Sequence, residues 1–101
     1  PTQIFDEVDA GIGGTVAAVV GDRLRTLGEQ RQVLCVTHLA QVAASAHHHL
    51  QVSKSAGDDD TRARLQPLAD TERVEEIARM LGGRRVTDQS RAHARELLAG
   101  T

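Results

Sequence analysis

The chain predicts an α/β fold built as a short parallel βαβ unit, then a β-hairpin, then two C-terminal helices, amounting to an incomplete domain. Three patterns carry that prediction. A strand end at residues 3–5 and an uninterrupted apolar run at 33–36 flank a segment of helical periodicity, which is the order strand, helix, strand. From His48 the periodicity changes to two on both sides of a polar turn. Two further helical segments close the chain, each with its own start or stop signals.

Taken in order, Gln3 to Phe5 ends a strand, and the acids after it stand where strand gives way to loop. Over residues 15–27 the apolar positions Val16, Val19, Val20, Leu24 and Leu27 recur at three and four. This spacing makes one greasy helix face, with Asp22, Arg23 and Arg25 pointing away and Gly28 as the stop. The run Val33, Leu34, Cys35, Val36 is rich in β-branched residues and suits a strand buried on both faces of a parallel sheet. Residues 39–46 form a short helix with Leu39, Val42, Ala43 and Ala46 on one side. Then His48, Leu50, Val52 and Lys54 alternate with His49, Gln51, Ser53 and Ser55, and residues 61–68 alternate again across the turn at 57–60, which gives the hairpin. A helix over 71–81 turns Val74, Ile77, Ala78 and Leu81 inward and stops at Gly82 and Gly83. Thr87 or Asp88 caps the last helix, which runs through Leu98.

Composition narrows the function classes. With 40% apolar residues, one Phe, and neither Trp nor Tyr, the core must be aliphatic. A formal charge of −2 leaves no clustered cations to track phosphates, so a nucleic-acid contact, if the protein makes one, is expected outside this stretch. Cys35 is the single cysteine and reads as a small buried hydrophobe, which excludes an intrachain disulfide and suits a reducing, cytoplasmic setting. No apolar stretch approaches the ~20 residues needed to span a bilayer, and the start lacks the plan of a signal peptide. The opening Pro-Thr-Gln-Ile-Phe leaves no room for the strand, loop and helix that ordinarily precede such an acidic site, so the chain is expected to be the tail of something longer.

In parallel α/β sheets ligands gather at the carboxyl ends of the strands, where Asp6, Glu7, Thr37 and His38 all fall. A strand ending in Phe5-Asp6-Glu7 has the form of a Walker B element. Mg²⁺ keeps most of its water, so one fixed carboxylate, Asp6, suffices to hold it beside nucleotide phosphates. Glu7, pointing the other way, is placed to orient and deprotonate an attacking water. His38 can donate a hydrogen bond to a γ-phosphate and sense its loss. Each residue also has a plainer reading: a solvated acidic turn, a hydrogen-bonded structural histidine, and, for Gly11, Gly13 and Gly14, turn residues in place of a backbone that approaches a partner.

The segment FDEVDAGIGG resembles the Walker B and D-loop of the RecN family, bacterial DNA-repair ATPases related to SMC proteins and the ABC ATPases. VTHLAQVAASAHHHLQVSK is similar to that family's switch-histidine segment, and RVEEIARMLGG and SRAHARELL to its C-terminal end. The resemblance implies a P-loop NTPase fold of the ABC ATPase head type, with residues 1–101 as its C-terminal lobe. It implies Asp6 as the metal carboxylate, Glu7 as catalytic base, His38 as the switch histidine, and Asp9, Gly11, Gly13 and Gly14 as nucleotide-facing residues of the D-loop. ATP and Mg²⁺ are then the implied cofactors. The implied partners are the N-terminal half of the same head, a second head in a homodimer, and DNA through the full-length protein; no membrane is involved, and the setting is the bacterial cytoplasm, at the nucleoid. Gly13 stands where most SMC and ABC D-loops carry aspartate, Ala40 where the family commonly has proline, and Gln3 is polar in a strand usually apolar there.

The chain has no G-x-x-x-x-G-K-[ST] motif, and its one lysine, Lys54, lies in no such context. The signature segment and the coiled coil are absent as well. The 101 residues are therefore expected neither to bind ATP tightly nor to turn it over alone. Two other readings compete. Asp6-Glu7-Val8-Asp9 satisfies the D-E-x-D box of helicases, whose second strand would end in Ser-Ala-Thr and not Val-Thr-His. A non-enzymatic module could use His47, His48 and His49 with Asp58, Asp59 and Asp60 to bind metal, although in a strand His47 and His49 share a face that His48 opposes and the aspartates lie at the hairpin's far end.

Overall fold

The structure, a computed structural model, describes residues 2–6, 11–56, 61–82 and 85–100. Strand β1 (Thr2–Asp6) runs parallel to β2 (Gln32–Val36), in register from Thr2 opposite Gln32 to Asp6 opposite Val36, and helix α1 (Gly14–Gly28) connects them. The expected βαβ unit is present. Burial on both faces of β2 is not: Phe5, Val33 and Cys35 are half-buried on one face, whereas Ile4 (70%), Leu34 (44%) and Val36 (59%) are open on the other. Among the described residues this sheet is two strands wide and nothing covers that second face, so an apolar run suited to a doubly covered strand alternates in exposure.

Helix α1 also buries a different stripe from the one its large residues suggest. Ala17 and Gly21 are buried and Leu24 is half-buried, while Val16 and Val19 are both 52% exposed. Small residues let α1 come close to the next helix, and the valines lie to one side of that seam. Gly28 is not the left-handed stop expected of it; the helix runs through it to its C-cap Glu29, where the Glu29 N–H donates to the Thr26 carbonyl and the Gln30 N–H to the Leu27 carbonyl, both at 3.2 Å.

Helix α2 (Ala40–Ala44) is shorter than the expected 39–46. Leu39 is its extended N-cap, and the Leu39 carbonyl accepts from the N–H of Val42 (3.2 Å) and Ala43 (3.1 Å). His47, His48 and His49 follow in irregular backbone ahead of strand β3 (Leu50–Ala56), so the two-against-one arrangement expected of them in a strand does not arise. Strand β4 (Thr61–Pro67) pairs antiparallel with β3, from Leu50 opposite Pro67 to Ala56 opposite Thr61, and the Leu68 N–H extends the ladder to the His49 carbonyl at 3.0 Å. The turn at 57–60 lies outside the described residues.

Helix α3 (Asp70–Met80) opens with Asp70 and Glu72 at its positive end, where the Glu72 carboxylate accepts from the Ala69 N–H at 3.0 Å. Leu81 closes it, and Gly82 follows at φ +103°, the left-handed conformation a C-terminal glycine supplies; Gly83 lies outside the described residues. Helix α4 (Asp88–Ala99) has Thr87 as its cap: the Thr87 hydroxyl accepts from the Ser90 N–H (3.0 Å), and the Ser90 hydroxyl accepts from the Thr87 N–H (2.8 Å). The core gathers Ala40, Ala43 and Ala44 of α2, Ile77 and Ala78 of α3 and Ala94 of α4, with Val74, Leu81, Val86 and Leu97 packed around it. It is aliphatic, as the composition requires, and Ile77 is its one large fully buried side chain among the described residues.

Candidate functional site

Asp6 is the last residue of β1 and its register partner Val36 is the last of β2, so both strands finish at one edge of the sheet, roughly 5 Å apart. Thr37 and His38 continue from that edge. The Thr37 hydroxyl accepts from the Leu39 N–H at 3.0 Å and turns the chain into α2, so His38 occupies the corner between strand and helix. Asp6 and His38 are both exposed. Glu7 and Asp9 lie outside the described residues.

The glycines differ from one another. Gly11 has φ +76°, so the backbone itself calls for glycine there. Gly13 is the extended N-cap of α1, and its carbonyl accepts from the Ala17 N–H at 2.8 Å. A Cβ added at Gly11 or Gly13 would meet nothing within 4 Å, and one at Gly14 would make only an ordinary contact, 3.6 Å from the Gln41 side chain. Among the described residues nothing crowds the backbone at Gly11 and Gly13. Helix α1 starts there with no side-chain cap and no acid in its first turn, leaving its first N–H groups to solvent or to an anion. An exposed carboxylate at the strand edge, a helix start without a side-chain cap and a glycine backbone are the kinds of group that suit a hydrated Mg²⁺ and phosphate oxygens.

Behind this edge lies an arrangement that periodicity did not indicate. Arg25, expected to point away from α1, is half-buried and donates from Nη1 to the Ser45 carbonyl at 2.8 Å. Arg73 of α3 donates from Nη2 to the carbonyls of Ala43 (3.0 Å), Ala44 (3.4 Å) and Ala46 (2.6 Å). Burial lowers the Arg73 pKa, Arg25's charge lowers it further, and Asp70 works the other way. The His49 pKa is likewise lowered by burial first and by Arg73 second, against Glu76. Glu76 is itself buried and accepts from Gln51 of β3 and from Arg79, whose Nε stands 3.1 Å from both carboxylate oxygens. The sequence signal for this cluster was weak: an arginine on an otherwise apolar helix face, four residues after a glycine.

Among the described residues no group of three or more His, Cys, Asp or Glu side chains could hold a metal ion, and no helix is long and apolar enough to cross a membrane. The metal-module and helicase alternatives gain no support.

No protein-family model matches the chain. Among curated proteins it is 56% identical over 98 residues to the DNA repair protein RecN of Xylella fastidiosa (strain 9a5c), covering 97% of this chain and 18% of that protein. The RecN of Deinococcus radiodurans is 54% identical over 100 residues, 99% of this chain and 18% of that protein, and the RecN of Bacillus subtilis (strain 168) 47% over 95 residues, 94% and 16%. A solved structure from work on ATP-driven dimerization and DNA-stimulated activation of SMC ATPases superposes with a TM-score of 0.67 at 18% identity, covering 84% of this chain and 50% of that one. At that identity the likeness speaks for the fold: the strand pair, hairpin and closing helices are those of part of an SMC ATPase. The chain thus spans less than a fifth of the length of the curated relatives it matches, and over that segment it belongs to the RecN family.

Proposed function

We propose that the chain is the C-terminal lobe of an ABC/SMC-type ATPase head, and that the full-length protein hydrolyses ATP between two dimerised heads in the recombinational repair of DNA double-strand breaks. The observation that carries this reading is the parallel register ending β1 and β2 side by side, which sets Asp6 next to the Thr37-His38 corner in a chain of RecN type. Asp6 holds the Mg²⁺ ion through its water shell. The ion, when bound, offsets charge on the nucleotide phosphates. Glu7 orients the attacking water and takes its proton, and His38 donates a hydrogen bond to the γ-phosphate oxygens, favouring the charge that develops there. Asp9, Gly11, Gly13 and Gly14 form the loop that meets the nucleotide and the second head, and the three glycines, having no side chains, allow backbone to approach closely.

The remaining machinery comes from outside these residues. The N-terminal half of the head supplies the P-loop, further strands of the sheet and the layer that covers the open face of Ile4, Leu34 and Val36. The second head supplies the signature segment. DNA contact belongs to other parts of the full-length protein, in keeping with the −2 charge here. The setting is the cytoplasm, at the nucleoid.

Replacing Glu7 by Gln in the full-length protein tests this directly. Metal binding should persist while the base is lost, so ATP-dependent head dimers accumulate and turnover drops roughly 10²-fold or more. Turnover within a few-fold of the parent protein would remove Glu7 from its role.

A further inference from the structure

We propose that Arg73, assisted by Arg25, is a positioning residue for His38: the two guanidinium groups hold the far end of the single-turn helix whose near end carries that histidine. The proposal rests on the reading of His38 as the γ-phosphate donor.

Helix α2 is five residues long, far below the length at which a helix holds itself together in water. Its direction must be set from outside. A helix leaves its last four carbonyls without full helical partners. Here the Gln41 carbonyl accepts from the Ser45 hydroxyl, and the Val42 and Ala43 carbonyls from the N–H groups of Ser45 and Ala46. The carbonyls of Ala43, Ala44 and the two residues after the helix accept from arginines of two different helices. Arg25 of α1 binds the Ser45 carbonyl, and Arg73 of α3 binds those of Ala43, Ala44 and Ala46. The absence of a side chain at Gly21 brings α1 against the same place, since a Cβ there would lie 2.4 Å from the Ser45 hydroxyl and 3.1 Å from the Gln41 carbonyl. At the other end the Thr37 hydroxyl and the Leu39 N-cap fix the entry. A helical rise of about 1.5 Å per residue puts the held carbonyls of Ala43 to Ala46 roughly 8–12 Å along the backbone from the His38 corner. Over so short a lever, movement at one end appears at the other with little loss. All three contacts of Arg73 are made by Nη2, so one cationic nitrogen at the end of its side chain gathers the carbonyls at the end of α2.

A purely structural cap would lower stability without acting through His38, and a double-mutant cycle in the full-length protein separates the two. The variants are His38→Ala, Arg73→Gln, Arg73→Lys and each Arg73 change combined with His38→Ala, with kcat and KM for ATP measured below each variant's unfolding transition. Arg73→Gln is expected to lower kcat roughly 10-fold or more with KM for ATP little changed, because misplacement of a catalytic group is felt in the reacting state. On top of His38→Ala the same change should cost about nothing further, since the group it positions is gone. Effects that multiply in the double variant, or an Arg73→Gln kcat within about twofold of the parent, overturn the proposal. If His38→Ala itself leaves kcat unchanged, the phosphate-donor reading fails first and takes this proposal with it. Should Arg73→Gln not fold, Arg73→Lys, which keeps the charge but not the guanidinium group, carries the same cycle.

Discussion

His49 shows how much a single side chain can be governed by neighbours distant in sequence. Its ring is half-buried beside Arg73 and Glu76, and its Nδ1 is enclosed with no hydrogen-bond partner among the described residues. Burial and the arginine disfavour the imidazolium more than Glu76 favours it, so the native pKa lies below 6.5. Between that value and 6.5 the unfolded chain binds a proton that the native one does not. Stability therefore falls as pH drops below 6.5 and levels off once the native ring is itself protonated. Thermal unfolding of the full-length protein between pH 7.5 and 5 should show a shallower decline in His49→Gln than in the parent; equal slopes would refute the account. Little of this was legible beforehand. Periodicity assigns His49 to a strand and Arg25 to solvent, because it treats a long cationic side chain as outward-facing, whereas Arg25 is half-buried and its head reaches the Ser45 carbonyl. By contrast Asp6 and His38 were legible, since the end of an apolar run marks a strand tip whatever surrounds it.

Helix α1 sets two effects of similar size against each other at Gly21. In an exposed helix interior, Gly→Ala gains about 1 kcal/mol from backbone propensity. Here the added Cβ would fall 2.4 Å from the Ser45 hydroxyl, 3.0 Å from its Cβ and 3.1 Å from a backbone oxygen, and overpacking of that kind costs about 1–3 kcal/mol. The clash should win, so Gly21→Ala lowers the denaturation midpoint, while Gly28→Ala, whose nearest neighbour is the His47 ring at 3.6 Å, leaves it level or raised. A stabilised Gly21→Ala protein would show that the two helices can part at no cost. Element identity was readable throughout: the order of strands and helices follows from the change of period, and Thr87 caps α4 as its residue type suggests. Which face of α1 packs was not readable, because the large valines mark a hydrophobic stripe and only the neighbouring helix decides that the small residues form the seam.

For the molecule as a whole, the radius of gyration is 14.1 Å, against about 13 Å for a compact chain of this length. The excess fits a lobe with open apolar faces, on β1 and β2 through Ile4, Leu34 and Val36 and on the hairpin through Leu50, Val52 and Leu65. The 101 residues by themselves should give no measurable ATP turnover, since they lack the lysine and glycine-rich loop that cradle the phosphates; phosphate release above background from the purified segment would contradict this. The exposure of β2 could not be foreseen, because an apolar run records what the strand meets in the complete protein and says nothing of which neighbours come from the same segment.

The two-stranded parallel sheet carries one practical consequence. Among the described residues no third strand pairs with the outer rim of either strand. Such rims recruit whatever strand is nearest, so the segment produced in isolation would tend to stick to copies of itself, and supplying the complementary lobe in the same cell is the natural remedy.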